Sequence, residues 1–541
     1  MPLRCYLLGA IGGKVHTTCK KESAWESQEG LVATMMEPSF YPKLPREVTH
    51  KETHISHLFF VGDIVYKIKK PVRFSFLDYS TLAKRRHFLN EELQLNRRLA
   101  PSVYLGVMPI TMDGNVWKLG GEEEPVEYVL VMRRLPEKRM LPVLLETQQV
   151  TPKMMIELAE LLASFHGGAK RLNPIDAANH GEEIARQWNE NLIDLEPFLG
   201  NLVDAETLGL IKDFGARFIE RHHSLLMQRV EEGWIRDVHG DLHCEHVCFA
   251  PEGIQIFDCV EFSAKLRCCD LASEIAFLLM DLDFRGAKQL GDTFLERYLE
   301  LLGDREALKL LPFYKSYRAL VRGKVAALRS QGAADIAARY FRLATRFTWD
   351  PMKPFLLIVC GVTGSGKSTL ARQLGERLGT PVINSDTVRK SLAGISGRQQ
   401  VAYKSGIYSP IMTKKTYAKM AREAEKLLKS GAGAILDATF SQRHNRQRIA
   451  RLAKKYGAPL EVICCRASDE TTRARLAQRA VEGHDISDGR WEIYIEQKKT
   501  FEAPSEIPTG DYLELDTRLP VSSLATICET FLRSRLANKQ S

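Results

Sequence analysis

The residues best suited to chemistry in this chain stand together at 361–369, GVTGSGKST. Gly361, Gly366, Lys367 and Ser368 fill the spacing G-x-x-x-x-G-K-[ST], after the apolar run FLLIVC (355–360) and before STLARQLGERL. That strand-to-helix context is the one in which such a loop binds phosphate. The glycines let backbone N–H groups converge on phosphate oxygens, and the helix N-terminus adds partial positive charge. The expected nucleotide-binding set is Gly361, Thr363, Gly364, Ser365, Gly366, Lys367, Ser368 and Thr369. Lys367 would act on the β- and γ-phosphates of ATP, and the Ser368 hydroxyl would ligate Mg2+.

Three further segments add candidates. Asp437 ends the apolar run of AILDATF and could hold Mg2+ as a Walker B carboxylate; a helix cap is the plainer reading. Asp386, in NSDTVRK (384–390), would project near the loop with Arg389. It could take or orient the proton of an acceptor hydroxyl, and Ser385 or Asp386 could equally cap the next helix. In RARLAQRAVEGHDISDGR (473–490), Arg475 and Arg479 share a helical face. Arg479 is the catalytic candidate, because such arginines stabilise a transferring phosphoryl group when a lid closes. A solvated arginine is the alternative. Together GVTGSGKST, NSDTVRK, ILDATF and RLAQR resemble the P-loop small-molecule and polynucleotide kinases, relatives of gluconate kinase, adenylylsulfate kinase and zeta-toxin-like proteins. The resemblance spans about 353–535 and implies ATP-dependent phosphoryl transfer to a hydroxyl without fixing the acceptor.

A second stretch, HGDLHCEHVCF (239–249), admits two chemistries. His239, His243, Cys244, His246 and Cys248 could bind metal, yet zinc sites usually pair two ligands with two more at a distance. The alternative is that His239-Gly240-Asp241 resembles the H-R-D or H-G-D turn of protein-kinase-like enzymes. QIFDCVEF (255–262) follows, with Asp258 where the metal-binding Asp of D-F-G would lie. Lys67 of VYKIKK is similar to the Lys of V-A-I-K, and LNEELQLNRRLAP offers Glu92, or Glu91, to pair with it. This order resembles the aminoglycoside and choline kinase branch, over about 40–345. The resemblance implies that Asp241 is the catalytic base, that Asp258 holds Mg2+, and that Lys67, oriented by Glu92, grips the α- and β-phosphates. Two departures stand out. His246 occupies the position of a metal-binding Asn, and Gly62 is almost the only glycine where a glycine-rich loop would lie. An imidazole is a softer ligand than an amide oxygen. Either His246 joins an altered metal set, or the lobe binds nucleotide weakly, or it does not catalyse; His246 could also simply pack beside Cys248.

The elements that would position these residues fall into two domains. Residues 36–347 read as an α+β, protein-kinase-like (aminoglycoside phosphotransferase-like) domain, 348–354 as a Pro-punctuated linker, and 355–541 as an α/β P-loop NTPase domain. Residues 1–35 read as disordered or as a start-site artefact. In the first domain, HLFFVGDIVYKIKKPV (57–72) reads as a hairpin, 81–99 as a helix and VEYVLVMRRL (126–135) as a buried strand. Residues 151–168 predict a helix capped by Thr151, with Met155, Leu158, Ala159, Leu162 and Phe165 on one face. FYKSYRALVRGKVAALR (313–329) presents Lys315, Arg318, Arg322 and Lys324, most simply as a solvated face, otherwise toward an acceptor groove or the other domain. In the second domain, apolar runs at 355–360, 381–384, 434–436 and 460–465 alternate with helical segments, which predicts a parallel sheet covered on both faces.

With 541 residues, 44% hydrophobic and 26% charged, the composition is that of a multidomain globular protein. A net charge of +9 suits anionic ligands such as nucleotides but is too diffuse to imply nucleic acid. No apolar run approaches about 18 residues, so no membrane span is expected. The 11 cysteines read as free core thiols, which implies a cytoplasmic location. The leading expectation is an ATP- and Mg2+-dependent phosphotransferase acting on a small hydroxylated acceptor, with a kinase-like domain for a second acceptor. A regulatory ATPase with an N-terminal pseudokinase, or a polynucleotide 5′-kinase, are the alternatives.

Overall fold

The computed structural model describes residues 22–74, 77–114, 116–173, 180–328, 334–394, 406–482, 490–507 and 512–537. The chain divides into two compact units, Met1–Thr348 and Trp349–Ser541.

The first unit opens with helix Glu22–Met35. Residues 22–35 were expected to be disordered, but Leu31 and Met35 are buried against Phe59, Tyr66 and Ile68. The sparse apolar positions of this segment find a hydrophobic sheet face that local sequence does not reveal. The sheet is antiparallel, in the order Thr49–Glu52, Ser56–Val61, Ile64–Lys69, Glu127–Arg133, Tyr104–Asp113 and Val116–Leu119. Gly62 (φ 58°) and Asp63 close the expected hairpin.

Strand alternation then decides where the chemistry goes. Tyr66 and Ile68 face the first helix, so Val65, Lys67 and Lys69 face the opposite side. There lies helix Leu82–Arg97, capped by Thr81, whose buried residues Arg85, Leu89, Glu92 and Asn96 follow the helical repeat. The sequence period thus brings a lysine-bearing strand against a glutamate-bearing helix.

The remainder of this unit is mainly helical. Helix Pro152–Gly168 begins at the Thr151 cap and buries Met155, Leu158, Ala159 and Leu162 as expected. It packs into one large core with Leu271–Phe284, Ala307–Ala327 and Ala334–Phe347. Where the last two helices meet, a Cβ on Gly323 would lie 2.4 Å from the Phe341 ring. Gly323→Ala is therefore expected to cost about 1–3 kcal/mol by overpacking, less up to about 1 kcal/mol of helix propensity. A lowered urea midpoint for this unit would show it; an unchanged or raised midpoint would not fit this packing.

The second unit contains a five-stranded parallel sheet, in the order Val382–Asn384, Ala434–Asp437, Leu356–Cys360, Leu460–Arg466 and Tyr512–Asp516. Leu356, Ile358 and Cys360 enter one core cluster while Leu357 and Val359 enter another. Burial on both faces is why this strand reads as an unbroken apolar run. The strand Tyr512–Asp516 was not foreseen; its alternating polar residues match its place at the sheet edge. The expected linker at 348–354 needs correcting as well. Trp349 is fully buried with Phe355, Leu357 and Leu532, so from Trp349 on the segment belongs to the second unit and is anchored in its core. The nine described cysteines are free, and no described helix is long and apolar enough to cross a membrane.

Candidate functional sites

In the second unit, the central strand Leu356–Cys360 runs into the glycine loop and then into helix Lys367–Leu378. Gly361, Gly364 and Gly366 have φ of 141°, 76° and 83°. Side chains at the first two would also collide, with a Cβ 2.5 Å from Cys465 O at Gly361 and 2.7 Å from Thr472 Cγ2 at Gly364. Glycine is therefore required twice over, by backbone conformation and by space. The loop is braced from several sides. Thr363 N–H donates to Gln497 Oε1 (2.8 Å), and Thr517 Oγ1 donates to Ser365 O (2.9 Å). Arg475 donates to Thr517 and, at 3.5 Å, to Gly364 O. Gln497 and Thr517 carried no sequence signal, because the contacts join positions more than 130 residues apart.

Asp437 ends the neighbouring strand and is 1% exposed. Its Oδ2 accepts from Asn384 Nδ2 at 2.6 Å, while Oδ1 is buried with no hydrogen-bond partner. An orphaned carboxylate oxygen together with the Ser368 hydroxyl is a hard-oxygen donor set that suits Mg2+. Asn384, rather than Ser385 or Asp386, caps the next helix, accepting from Asp386 N and Thr387 N at 3.0 Å. The Asp386 carboxylate is instead paired with Arg389, whose guanidinium lies over Tyr408. Lys367 and Ser368 are half-buried and Thr369 is exposed. The side chain of Arg479 lies outside the described residues.

In the first unit, Lys67 Nζ lies 2.8 Å from Glu92 Oε1 and 3.9 Å from Asp258 Oδ1. Of the two glutamates considered, Glu92 makes the pair. Lys69, two positions along the strand and so on the same face, also binds Glu92 (2.9 Å) and reaches Glu261 (2.6 Å). Tyr79 donates to Glu261 at 2.9 Å. Lys69 and Glu261 were missed; strand alternation could have found Lys69. Asp258 holds a left-handed backbone (φ 67°), uncommon for a non-glycine residue and typical of functional positions.

The His239-Gly240-Asp241 turn is fixed from beneath. Glu274, on helix Leu271–Phe284, accepts from His239 N (3.0 Å) and Gly240 N (3.1 Å). Gly240 has φ 81°, and a Cβ there would lie 3.0 Å from Leu266 O. His239 Nε2 donates to Phe257 O at 2.9 Å, tying the turn to Asp258. Asp241, His243 and His246 are all buried, with one ligand atom from each within 4.8 Å of the others. Burial lowers the His243 imidazole to about 3 and holds His246 well below its ordinary range, so both rings are neutral.

Burial also pushes Glu274 up to about 7, against the pull of Arg318 and the two amides. Between its ordinary 4.5 and about 7, the folded protein keeps a proton that the unfolded chain has released. This contribution to stability is present at low pH and is lost as pH rises through 7. Glu274→Gln removes the effect. From pH 5 to pH 8 the wild type should lose about 2–3 kcal/mol relative to that variant, read by urea unfolding. A pH-independent difference would contradict it.

The basic helix is not a solvated face. Arg318, Arg322 and Lys324 are buried and Lys315 nearly so. Their partners are Asp283 for Lys315, Glu245 for Arg322 and Asp194 for Lys324, all distant in sequence. Arg318 points its Nη1 at Gly240 O (3.5 Å) and lines a cavity with Lys265, Tyr314, Tyr317 and His180. Arg318 Nε, Tyr314 Oη and His180 Nε2 are buried there without hydrogen-bond partners.

Comparison with known proteins finds a family match in each unit. The description "Phosphotransferase enzyme family" fits residues 73–311, and "AAA domain" fits residues 356–504. Uncharacterized protein Rv2004c of Mycobacterium tuberculosis is 34% identical over 443 residues, 81% of this chain and 87% of that protein. A shikimate kinase of Paramagnetospirillum magneticum is 26% identical over 194 residues, 34% of this chain and 92% of its own. A solved gluconokinase from Sinorhizobium meliloti is 19% identical over 34% of this chain and 95% of its own, with a TM-score of 0.27. The chain belongs to the same family as the Mycobacterium tuberculosis protein, and is a phosphotransferase in which a phosphotransferase-enzyme-family domain precedes a P-loop kinase domain.

Proposed function

We propose that the second unit transfers the γ-phosphoryl group of ATP to a hydroxyl of a small molecule. The observation that carries this reading is the glycine loop beside Asp437, whose Oδ1 is buried and unpartnered. The loop amides and Lys367 hold the phosphates, and Ser368 and Asp437 hold Mg2+, which neutralises charge developing on the transferred group. Asp386, held by Arg389, orients the acceptor hydroxyl and takes its proton. The first unit supplies a second phosphotransfer frame, with Lys67 and Glu92 for the nucleotide and Asp241 as the base. Its acceptor occupies the cavity beside Gly240, where Arg318 and Lys265 favour a molecule carrying negative charge. The paired carboxylates Glu183 and Asp270 add little to bind a polycation.

The test is a screen of fractionated small metabolites for acceptor-dependent ADP release, with phosphorylated products identified by mass spectrometry. Products that persist in Asp241→Asn and vanish in Lys367→Ala support assignment to the second unit. ATP hydrolysis that no acceptor stimulates would favour the regulatory ATPase, and labelling of 5′-hydroxyl oligonucleotides with steep salt dependence the polynucleotide kinase.

A further inference from the structure

The two candidate cation sites differ in donor chemistry. In the second unit the donors are oxygens, whereas the first unit places an imidazole where an amide oxygen would serve Mg2+. His246 Nδ1 lies 2.8 Å from the main-chain oxygen of Asp241. A carbonyl can only accept, so Nδ1 carries the hydrogen and, in the neutral ring, the lone pair sits on Nε2. That Nε2 is buried, has no hydrogen-bond partner, and lies 3.5 Å from Asp258 Oδ2. A nitrogen lone pair thus faces a carboxylate oxygen, and two acceptors at this distance call for a cation between them. The separation is one that two ligands of a single ion can have when each bond is about 2.1 Å. A backbone carbonyl fixing the tautomer is also the usual support of a metal-bound histidine.

His243 plays a different part. Its Nδ1 accepts from Glu245 N at 3.3 Å, so its neutral ring carries hydrogen on Nε2, 3.6 Å from Asp241 Oδ2. It is a donor toward the base, not a ligand. The rings of His239, His243 and Phe257 pack around His246, and the Asp241 carboxylate lies on the Nδ1 side at 3.7 Å, so Asp258 is the carboxylate that faces Nε2.

We infer that His246 Nε2 and Asp258 form a site for a nitrogen-preferring divalent transition ion, of the Mn2+, Co2+ or Zn2+ kind, in place of Mg2+. Each of these ions accepts an imidazole nitrogen more readily than Mg2+, which holds to oxygen, and Mn2+ is the weakest nitrogen binder of the three. The inference rests on the kinase-like frame of the first unit and is independent of the acceptor chemistry of the second.

The test uses the full chain with Mn2+ and a non-hydrolysable ATP analogue. Pulsed electron paramagnetic resonance should show coupling of Mn2+ to a directly bound 14N. His246→Asn should abolish that coupling and make this ion about 10-fold or more easier to displace with Mg2+. Lys367→Ala should leave the coupling intact, which separates this result from failure of the second unit's reading. If His246→Asn does not fold, as judged by its melting curve, His246→Gln takes its place. A wild-type spectrum with oxygen couplings alone overturns the inference, as does a 14N signal that survives both substitutions. So would a first unit that binds no ion because His246 and Asp258 share a proton instead.

Discussion

Lys367→Ala is expected to lower acceptor-dependent ADP release on the order of 10²–10³-fold, the scale seen when a preorganised donor to developing charge is removed. The helix that begins at Lys367 follows three glycines whose positive φ angles set the loop, so the amide cradle does not depend on the lysine side chain. Lys367 is half-buried and not part of either core cluster, so its truncation should leave stability nearly unchanged. The loss should therefore fall on turnover and not on folding. Asp437→Asn should impair Mg2+-nucleotide binding, since it neutralises the carboxylate whose Oδ1 has no partner. A coupled ADP assay at saturating acceptor measures both variants. A Lys367→Ala rate within about threefold of wild type, well below the scale of a lost transition-state donor, would remove the loop from the reaction.

Much of this second site was legible because its parts are contiguous. A strand, six loop residues and a helix start carry the phosphate cradle in one stretch, 355–369. Asp437 was legible for a related reason, since a carboxylate closing a buried apolar run must lie at the strand's end. The cap was misread because Asn384 sits at the end of its own short strand and serves two partners, Asp437 and the helix amides. Nothing local in NSDTVRK ranks the three polar residues. The first site was legible in order but not in detail. Lys67 lies with Glu92 and Asp258, and Asp241 and Asp258 both border His246, whereas Glu274, Glu261 and the carboxylates that pair with Lys315, Arg322 and Lys324 come from distant positions. A basic helix reads as solvated until those partners are seen. Residues 22–35 show the same limit for apolar contacts: Leu31 and Met35 are too few to announce a helix, yet enough to dock one.

Glu92→Gln is expected to destabilise the first unit by about 3–5 kcal/mol, because it leaves buried ammonium groups short of their counter-charge. Glu92 is fully buried and divides its two oxygens between Lys67 (2.8 Å) and Lys69 (2.9 Å). Gln preserves the volume, so the change isolates charge. Its amide oxygen can satisfy one lysine, while the amide NH2 would face the other as a second donor. Glu261 still pairs with Lys69, and Asp258, at 3.9 Å, is the remaining carboxylate near Lys67. Lys67 should then swing toward Asp258, which links the loss of stability to a misplaced phosphate-binding lysine. Lys69→Met supplies the contrast. It removes the second ammonium along with one demand on Glu92, leaving Lys67 paired, and should cost less in nucleotide binding than in stability. Amide exchange followed by mass spectrometry can locate the effect. In Glu92→Gln, peptides covering 64–69 and 82–97 should exchange faster, while those covering 356–378 keep their protection. Equal protection of all these segments in mutant and wild type would show that the buried pair contributes no net stability, and that Glu92 only positions the lysine.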